Sequence, residues 1–276
     1  MTAESPLYTP APGTPCWIDL ATANEQAARA FYAELFGWSY YSRPDPATGA
    51  YTIAALGGVP VAGLYRAVRN QPPSWTVHLT AANARSAAGW VTGLGGLVIL
   101  EPFDIPGRGS IAHVQDPTGA TFVLWEAATS ARFGTGSPGM FTGTELNTHD
   151  GVAADAFYGK LFALTSRQVE GGMRADYHSE QFDMPLLHRY VMGTEYPAST
   201  PAHWLVYFTA DPRIGADGLA EHTLTLGGQV VIAPYDTEFG RTAVLADPCG
   251  ASFAVVDHTR AVEYQTRAEV DDPYDD

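Results

Sequence analysis

The chain repeats itself. GTPCWIDLATANEQAARAFYAELFGW (13–38) aligns with GMFTGTELNTHDGVAADAFYGKLFAL (139–164), which brings Phe31-Tyr32 onto Phe157-Tyr158. Further along, Trp75 matches Trp204, Leu94-Gly95-Gly96 matches Leu226-Gly227-Gly228, and Asp116-Pro117-Thr118-Gly119 matches Asp247-Pro248-Cys249-Gly250. The order is kept and only the spacing drifts, as loop insertions would produce. Any fold assigned to one half must therefore be assigned to both. The expected layout is an N-terminal arm (1–11), a first domain (12–130), a linker (131–138) within the Gly/Ser/Thr-rich RFGTGSPG, a second domain (139–260) and an acidic tail (261–276).

Each copy reads as strand, helix and several strands, twice over. In the first, CWIDLAT is a short strand, Asn24 a helix N-cap, the Ala-rich run to Phe36 a helix, and Gly37 its stop. YTIAAL and VPVAGLYR flank Gly57-Gly58 as a hairpin. The pattern restarts with SWTVHLT, a helix from Asn83 to Leu94, and the strands SIAHVQ and TFVLWEA joined by the DPTG turn. Asp150 is the matching N-cap in the second copy, whose middle (166–200) shows no clear periodicity.

Composition narrows the partners. Fifteen basic against 30 acidic residues give a net charge of −15, with Lys160 the only lysine. Such a surface repels phosphate backbones and anionic lipid, so neither nucleic acid nor membrane is an expected partner. The N-terminus lacks the basic and apolar regions of a signal peptide, and no run approaches the roughly 20 apolar residues of a membrane helix. The expectation is a cytoplasmic protein, monomer or homodimer. Cys16 and Cys249 have neither metal-ligand spacing nor the number for a disulfide framework. Cys16 reads as a small core residue.

AFYxxLFxW after the first strand, Leu-Gly-Gly after the second helix and DPxG before the last strand together resemble the vicinal oxygen chelate superfamily. This is the glyoxalase, bleomycin-resistance and dioxygenase group, and the likeness covers residues 12–128 and 139–258. It is nearer still to two-domain actinobacterial members of that group. The resemblance implies an α+β fold, each domain made of two βαβββ modules that form a curved sheet around a concave pocket with helices outside.

Strand alternation then sorts the side chains. Cys16, Ile18, Leu20, Trp75, Val77 and Leu79 should face the helices, leaving Trp17, Asp19, Ser74, Thr76 and His78 in the pocket. The family register adds Thr121, Val123, Trp125 and His113. The same sorting in the second copy gives Gly143, Glu145, Asn147, His203, Leu205, Tyr207, Val244, Ala254 and Val256. On this reading the first pocket concentrates ionisable groups and the second is more apolar. His149, His178, His188, His222 and His258 are assigned no role.

Metal-dependent relatives would place ligands at Trp17, Ser74 and Val123, and at Gly143, His203 and Ala254. Only His203 there is a typical ligand, so no metal residues are assigned and no cofactor is expected. A divalent ion such as Fe or Zn on a displaced set of Asp19, His78 and His113 is the minority alternative. The leading expectation is acid–base chemistry of lyase or isomerase type on an enolisable carbonyl or phenolic secondary metabolite. His78 and His113 are its catalytic histidines, and Asp19 orients them. Trp17, Thr76, Thr121, Trp125, Glu145, His203 and Tyr207 would bind the small hydrophobic or aromatic ligand. Two alternatives stay open: a drug- or metabolite-binding resistance protein without catalysis, and a metal-dependent lyase or oxygenase using the displaced set.

Overall fold

The structure is a computed structural model that describes residues 10–45, 49–128, 133–194 and 196–262. The expected acidic tail and N-terminal arm fall almost wholly outside these residues, as does the start of the linker. The first copy runs β1 (Pro15–Thr22), α1 (Glu25–Phe36), β2 (Ser39–Asp45), β3 (Gly49–Leu56), β4 (Val59–Arg66), β5 (Ser74–Thr80), α2 (Ala84–Gly93), β6 (Leu97–Ile105), β7 (Gly109–Gln115) and β8 (Thr121–Ala127). The second runs β9 (Phe141–Thr148), α3 (Gly151–Phe162), β10 (Thr165–Val169), β11 (Arg174–His178), β12 (Leu187–Val191), β13 (His203–Thr209), α4 (Gly215–Thr225), β14 (Gln229–Thr237), β15 (Gly240–Ala246) and β16 (Ser252–Asp257).

Each copy builds its own eight-stranded mixed sheet, ordered β2-β3-β4-β1-β5-β8-β7-β6 and β10-β11-β12-β9-β13-β16-β15-β14. The two βαβββ modules of a copy meet where β1 and β5, or β9 and β13, pair antiparallel. This is the expected α+β architecture. Asn24 caps α1 by accepting from the Ala27 amide, and Gly37 ends it at φ 76°. Asn83 and Asp150 cap α2 and α3 in the same way. The unassigned middle of the second copy becomes β10, a single 3-10 turn, β11 and β12. Polar residues such as Arg174, Asp176, His188 and Arg189 hide the alternation in these five-residue strands. Buried Arg189 is satisfied by Asp155, Gln168 and the carbonyls of Gly172 and Met173.

The repeated motifs lock the copies together. Tyr158 Oη donates to Asp116 Oδ2 across the copies at 2.9 Å, and Tyr32 Oη donates to Asp247 Oδ2 at 3.3 Å. The other carboxylate oxygen of each aspartate gathers its own DPxG turn, accepting from the amides of Thr118 and Ala120, or of Cys249 and Ala251. The second glycine of Leu-Gly-Gly lies against a backbone carbonyl of its own copy, Gln115 or Ala246, which a β-carbon would approach to 2.5 Å, and also beside the opposite phenylalanine. A β-carbon on Gly96 would come within 3.2 Å of Phe157, and one on Gly228 within 3.1 Å of Phe31. Phe31, Tyr32, Phe36, Trp38, Trp75, Phe208 and Phe253 form one aromatic core spanning both sheets. Among the described residues no helix is long and apolar enough to cross a membrane.

Candidate active site

Alternation holds across the first sheet. Ile18, Leu20, Trp75, Val77, Leu79, Ala112, Phe122 and Leu124 join the helix-side core, while Trp17, Ile53, Ile111, Val123 and Trp125 form a separate cluster on the helix-free face. Cys16 is the exception. A bulge between Pro15 and Trp17 turns it against the helix-free cluster instead of under the helices. Burial pushes its thiol up to about 11, which disfavours the thiolate.

The register sets Trp17, His78, Val123 and His113 in one row across β1, β5, β8 and β7. His78 Nε2 meets Asp19 Oδ2 at 2.9 Å, and the two residues are 3% and 5% exposed. Tyr51 Oη donates to the same carboxylate oxygen at 3.2 Å and accepts from Trp17 Nε1 at 2.7 Å. Trp125 lies against the His78 ring, centroids 5.3 Å apart. Two buried atoms of this pair, His78 Nδ1 and Asp19 Oδ1, have no hydrogen-bond partner. A buried polar atom without a partner costs about 1–3 kcal/mol, so both are places where a ligand atom or water would be stabilised.

His113 stands one strand beyond, across Val123, half-buried. Burial lowers its pKa, with Asp19 opposing and His78 reinforcing the shift. A histidine held below its ordinary value contributes stability that is present above that value and lost as pH falls through the lowered one. Chemical denaturation from pH 7 downward should therefore show a loss of stability below about pH 6.5 that His113→Gln reduces.

Thr76 pairs with Asp19 across β1 and β5, whereas Thr121 lies exposed at the start of β8, away from the buried pair. Sequence reasoning missed Tyr51 and the glycine that admits it. A β-carbon on Gly63, the β4 partner of Asp19, would sit 1.8 Å from Tyr51 Oη. An isolated glycine within VPVAGLYR is the signal, since mid-strand glycine marks close approach of another group. Gly63→Ala should displace Tyr51 and cost about 1–3 kcal/mol of stability. Adding Tyr51→Ala should relieve the clash, and urea melts of the single and double variants check this.

The second copy corrects the expectation of an apolar pocket. Its helix-free face carries Glu145, Tyr207, Arg174, Asp176 and His188. Tyr207 Oη donates to Glu145 Oε1 at 3.2 Å, repeating the contact of His78 with Asp19 at equivalent positions. Burial raises the Glu145 carboxyl, with His188 and Arg174 pulling against the shift. His188, assigned no role from sequence, pairs with Glu145 across β12 and β9, and its Nδ1 meets Asp176 Oδ1 at 2.7 Å. That bond is the main cause of a lowered Asp176 pKa. His203 pairs with Asn147 across β13 and β9, its Nδ1 on the Pro201 carbonyl.

The paired sheets and duplicated modules are those of the vicinal oxygen chelate superfamily, and solved structures agree. The Mn(II)-bound glyoxalase of Novosphingobium aromaticivorans superposes with a TM-score of 0.61 at 16% identity, over 93% of this chain and 85% of its own. The 2,3-dioxygenase LapB of Pseudomonas sp. KL28 gives 0.62 at 12% identity, over 90% and 93%. No family model matches the sequence.

Relatives place the chain more narrowly. It is 34% identical over 255 residues to CFP32 of Mycobacterium tuberculosis, which carries a provisional glyoxylase name, covering 88% of this chain and 94% of that protein. It is 34% identical over 269 residues to the anthracycline biosynthesis protein DnrV of Streptomyces peucetius, covering 90% and 94%. The chain belongs to the family of these proteins.

The fold neighbours correct the expectation that no cofactor is needed. This architecture is shared with a Mn(II)-bound glyoxalase and an extradiol ring-cleaving dioxygenase, so cofactor independence does not follow from it. The residues at the superfamily's ligand positions nevertheless do not fit such an ion. Trp17, Ser74, Val123, Gly143 and Ala254 offer no imidazole or carboxylate. His203 stands alone, and among the described residues no three His, Cys, Asp or Glu side chains converge as a ligand set. The displaced set is likewise not assembled, because His78 closes on Asp19 while His113 stays across β8.

Proposed function

We propose that the chain is an enzyme of aromatic secondary metabolism that moves a proton on an enolisable carbonyl or phenolic substrate, using the helix-free face of the first copy. The observation that carries this reading is the buried His78–Asp19 pair with His78 Nδ1 left unpartnered. With Nε2 directed at the carboxylate, Nδ1 is the ring nitrogen left without a partner to take a substrate proton. Asp19 would hold the ring in that tautomer and stabilise the imidazolium formed when Nδ1 takes a proton from carbon next to a carbonyl. His113, whose pKa burial lowers, would donate a hydrogen bond through its ring N–H to the oxygen on which the enolate charge develops, and the proton held on His78 would return to the substrate. Trp17 and Trp125 would sandwich a planar ring, and Thr76 would lie beside the carboxylate. The name of DnrV, an anthracycline biosynthesis protein, supports a polycyclic aromatic substrate.

A second reading is binding without turnover. It is favoured by the near-complete burial of His78 and Asp19 behind Trp17 and Trp125. Incubation with a panel of hydroxyaryl ketones, followed by melting temperature and mass spectrometry of the recovered compounds, separates the two. The enzyme reading expects a ligand that both raises the melting temperature and is converted. Stabilisation without conversion across the panel would favour the binder.

A further inference from the structure

We propose that Phe133, carried by the linker between the copies, is the gate of the first copy's site and holds the place beside Trp17 that an aromatic substrate ring takes. The proposal rests on the reading of that helix-free face as the reacting site, and it names the group a substrate must displace to enter.

The site stands shut. Trp17 and Trp125 are 6% and 8% exposed, and His78 behind them is 3% exposed. A base buried this far meets no substrate proton until some wall leaves. Trp17, Ile53, Ile111, Val123 and Trp125 sit on β1, β3, β7 and β8, each paired with a strand on both sides. Phe103 and Ile105 pack on the same cluster from β6, which is laddered to β7. Phe133 packs on it from outside any helix or strand. Swinging it out breaks no ladder, and gating segments are drawn from such weakly tied chain.

Its contacts are those of a ligand ring. The Phe133 centroid lies 5.5 Å from that of Trp17 and 5.4 Å from that of Phe141, the first residue of β9. Both separations are those of attractive aromatic pairs. A planar substrate offers Trp17 the same contact, so one ring replaces another with little loss of buried apolar surface. The linker just beyond is pinned. The Gly134 amide donates to the Pro60 carbonyl at 2.8 Å, and Thr135 bridges to Phe141. A β-carbon on Gly134 would come within 3.0 Å of Met140 and of Val59, so the backbone there is held close and gives the ring a fixed pivot.

Carbethoxylation by diethyl pyrocarbonate, followed peptide by peptide with mass spectrometry, reads access to His78 without any substrate. We expect slow modification in the parent chain, a rate at least tenfold higher in Phe133→Ala, and an intermediate rate in Phe133→Leu. Phe122→Ala opens the helix-side core instead and should leave the His78 rate at the parent value, which separates gating from general loosening. The Kd for 2-acetyl-1-naphthol should fall in Phe133→Ala, because the parent binds only through its open fraction. An unchanged His78 rate in Phe133→Ala, an equal rise in Phe122→Ala, or a weaker naphthol Kd in Phe133→Ala would overturn the gate. A raised His78 rate with no naphthol binding by either chain would support the gate and count against the aromatic substrate.

Discussion

Truncating Phe157 to alanine is expected to destabilise the entire chain by about 3–5 kcal/mol, a drop in melting temperature of roughly 10 °C for a protein this size. Phe157 belongs to α3 of the second copy yet is 2% exposed, packed on Phe122 and against Gly96 of the first. Removing it opens a void between the copies that neither sheet can close alone. Because the lock is reciprocal, Phe31→Ala should act alike through Gly228 and Phe253. Tyr158→Phe should cost less, about 1–3 kcal/mol, by leaving Asp116 Oδ2 without its tyrosine donor. Scanning calorimetry should record a single transition for the parent chain and for each variant. Two transitions, with only one moved by Phe157→Ala, would show that the halves unfold independently.

The second large effect concerns turnover. His78→Ala is expected to lower kcat/KM on a converted aromatic ketone by about 10²- to 10⁴-fold, the usual contribution of a positioned acid or base. Alanine also leaves the buried Asp19 carboxylate with Tyr51 as its remaining donor, so a loss of activity could reflect a damaged fold. His78→Gln separates the causes, since glutamine can still donate to Asp19 but cannot carry a proton at neutral pH. It should keep a near-parent melting temperature and lose activity to the same extent. Asp19→Asn should reduce kcat more than it raises KM, because the ring then loses the carboxylate that fixes its tautomer. Full activity in His78→Gln would remove the histidine from the mechanism.

The architecture was legible because the duplication is carried by residues that meet each other. Phe-Tyr, Leu-Gly-Gly and Asp-Pro-x-Gly recur as the two sides of one interlock, which ties their spacing to the fold. The placing of Asp19 and His78 on one face was legible too, since alternation over Trp17–Leu20 and in SWTVHLT holds. What stayed hidden depended on other strands. Tyr51 reaches Asp19 only because Gly63 lies between them. His188 becomes a neighbour of Glu145 only through the parallel pairing of β12 with β9, inside a segment whose polar residues erase the strand period. Cys16 was misplaced by a one-residue bulge, which reverses the inside–outside rule. The edge strands β6 and β14 went unassigned because exposed Leu97, Ile99 and Val231 leave no polar face to alternate against.

Hydrogen exchange in deuterium oxide probes the proposed proton transfer without waiting for a physiological product. With 2-acetyl-1-naphthol, proton NMR follows deuteration of the methyl group beside the carbonyl. The account predicts that the parent chain accelerates exchange well above the buffer rate and that His78→Gln returns it to that rate. Equal exchange in parent, variant and buffer would contradict it.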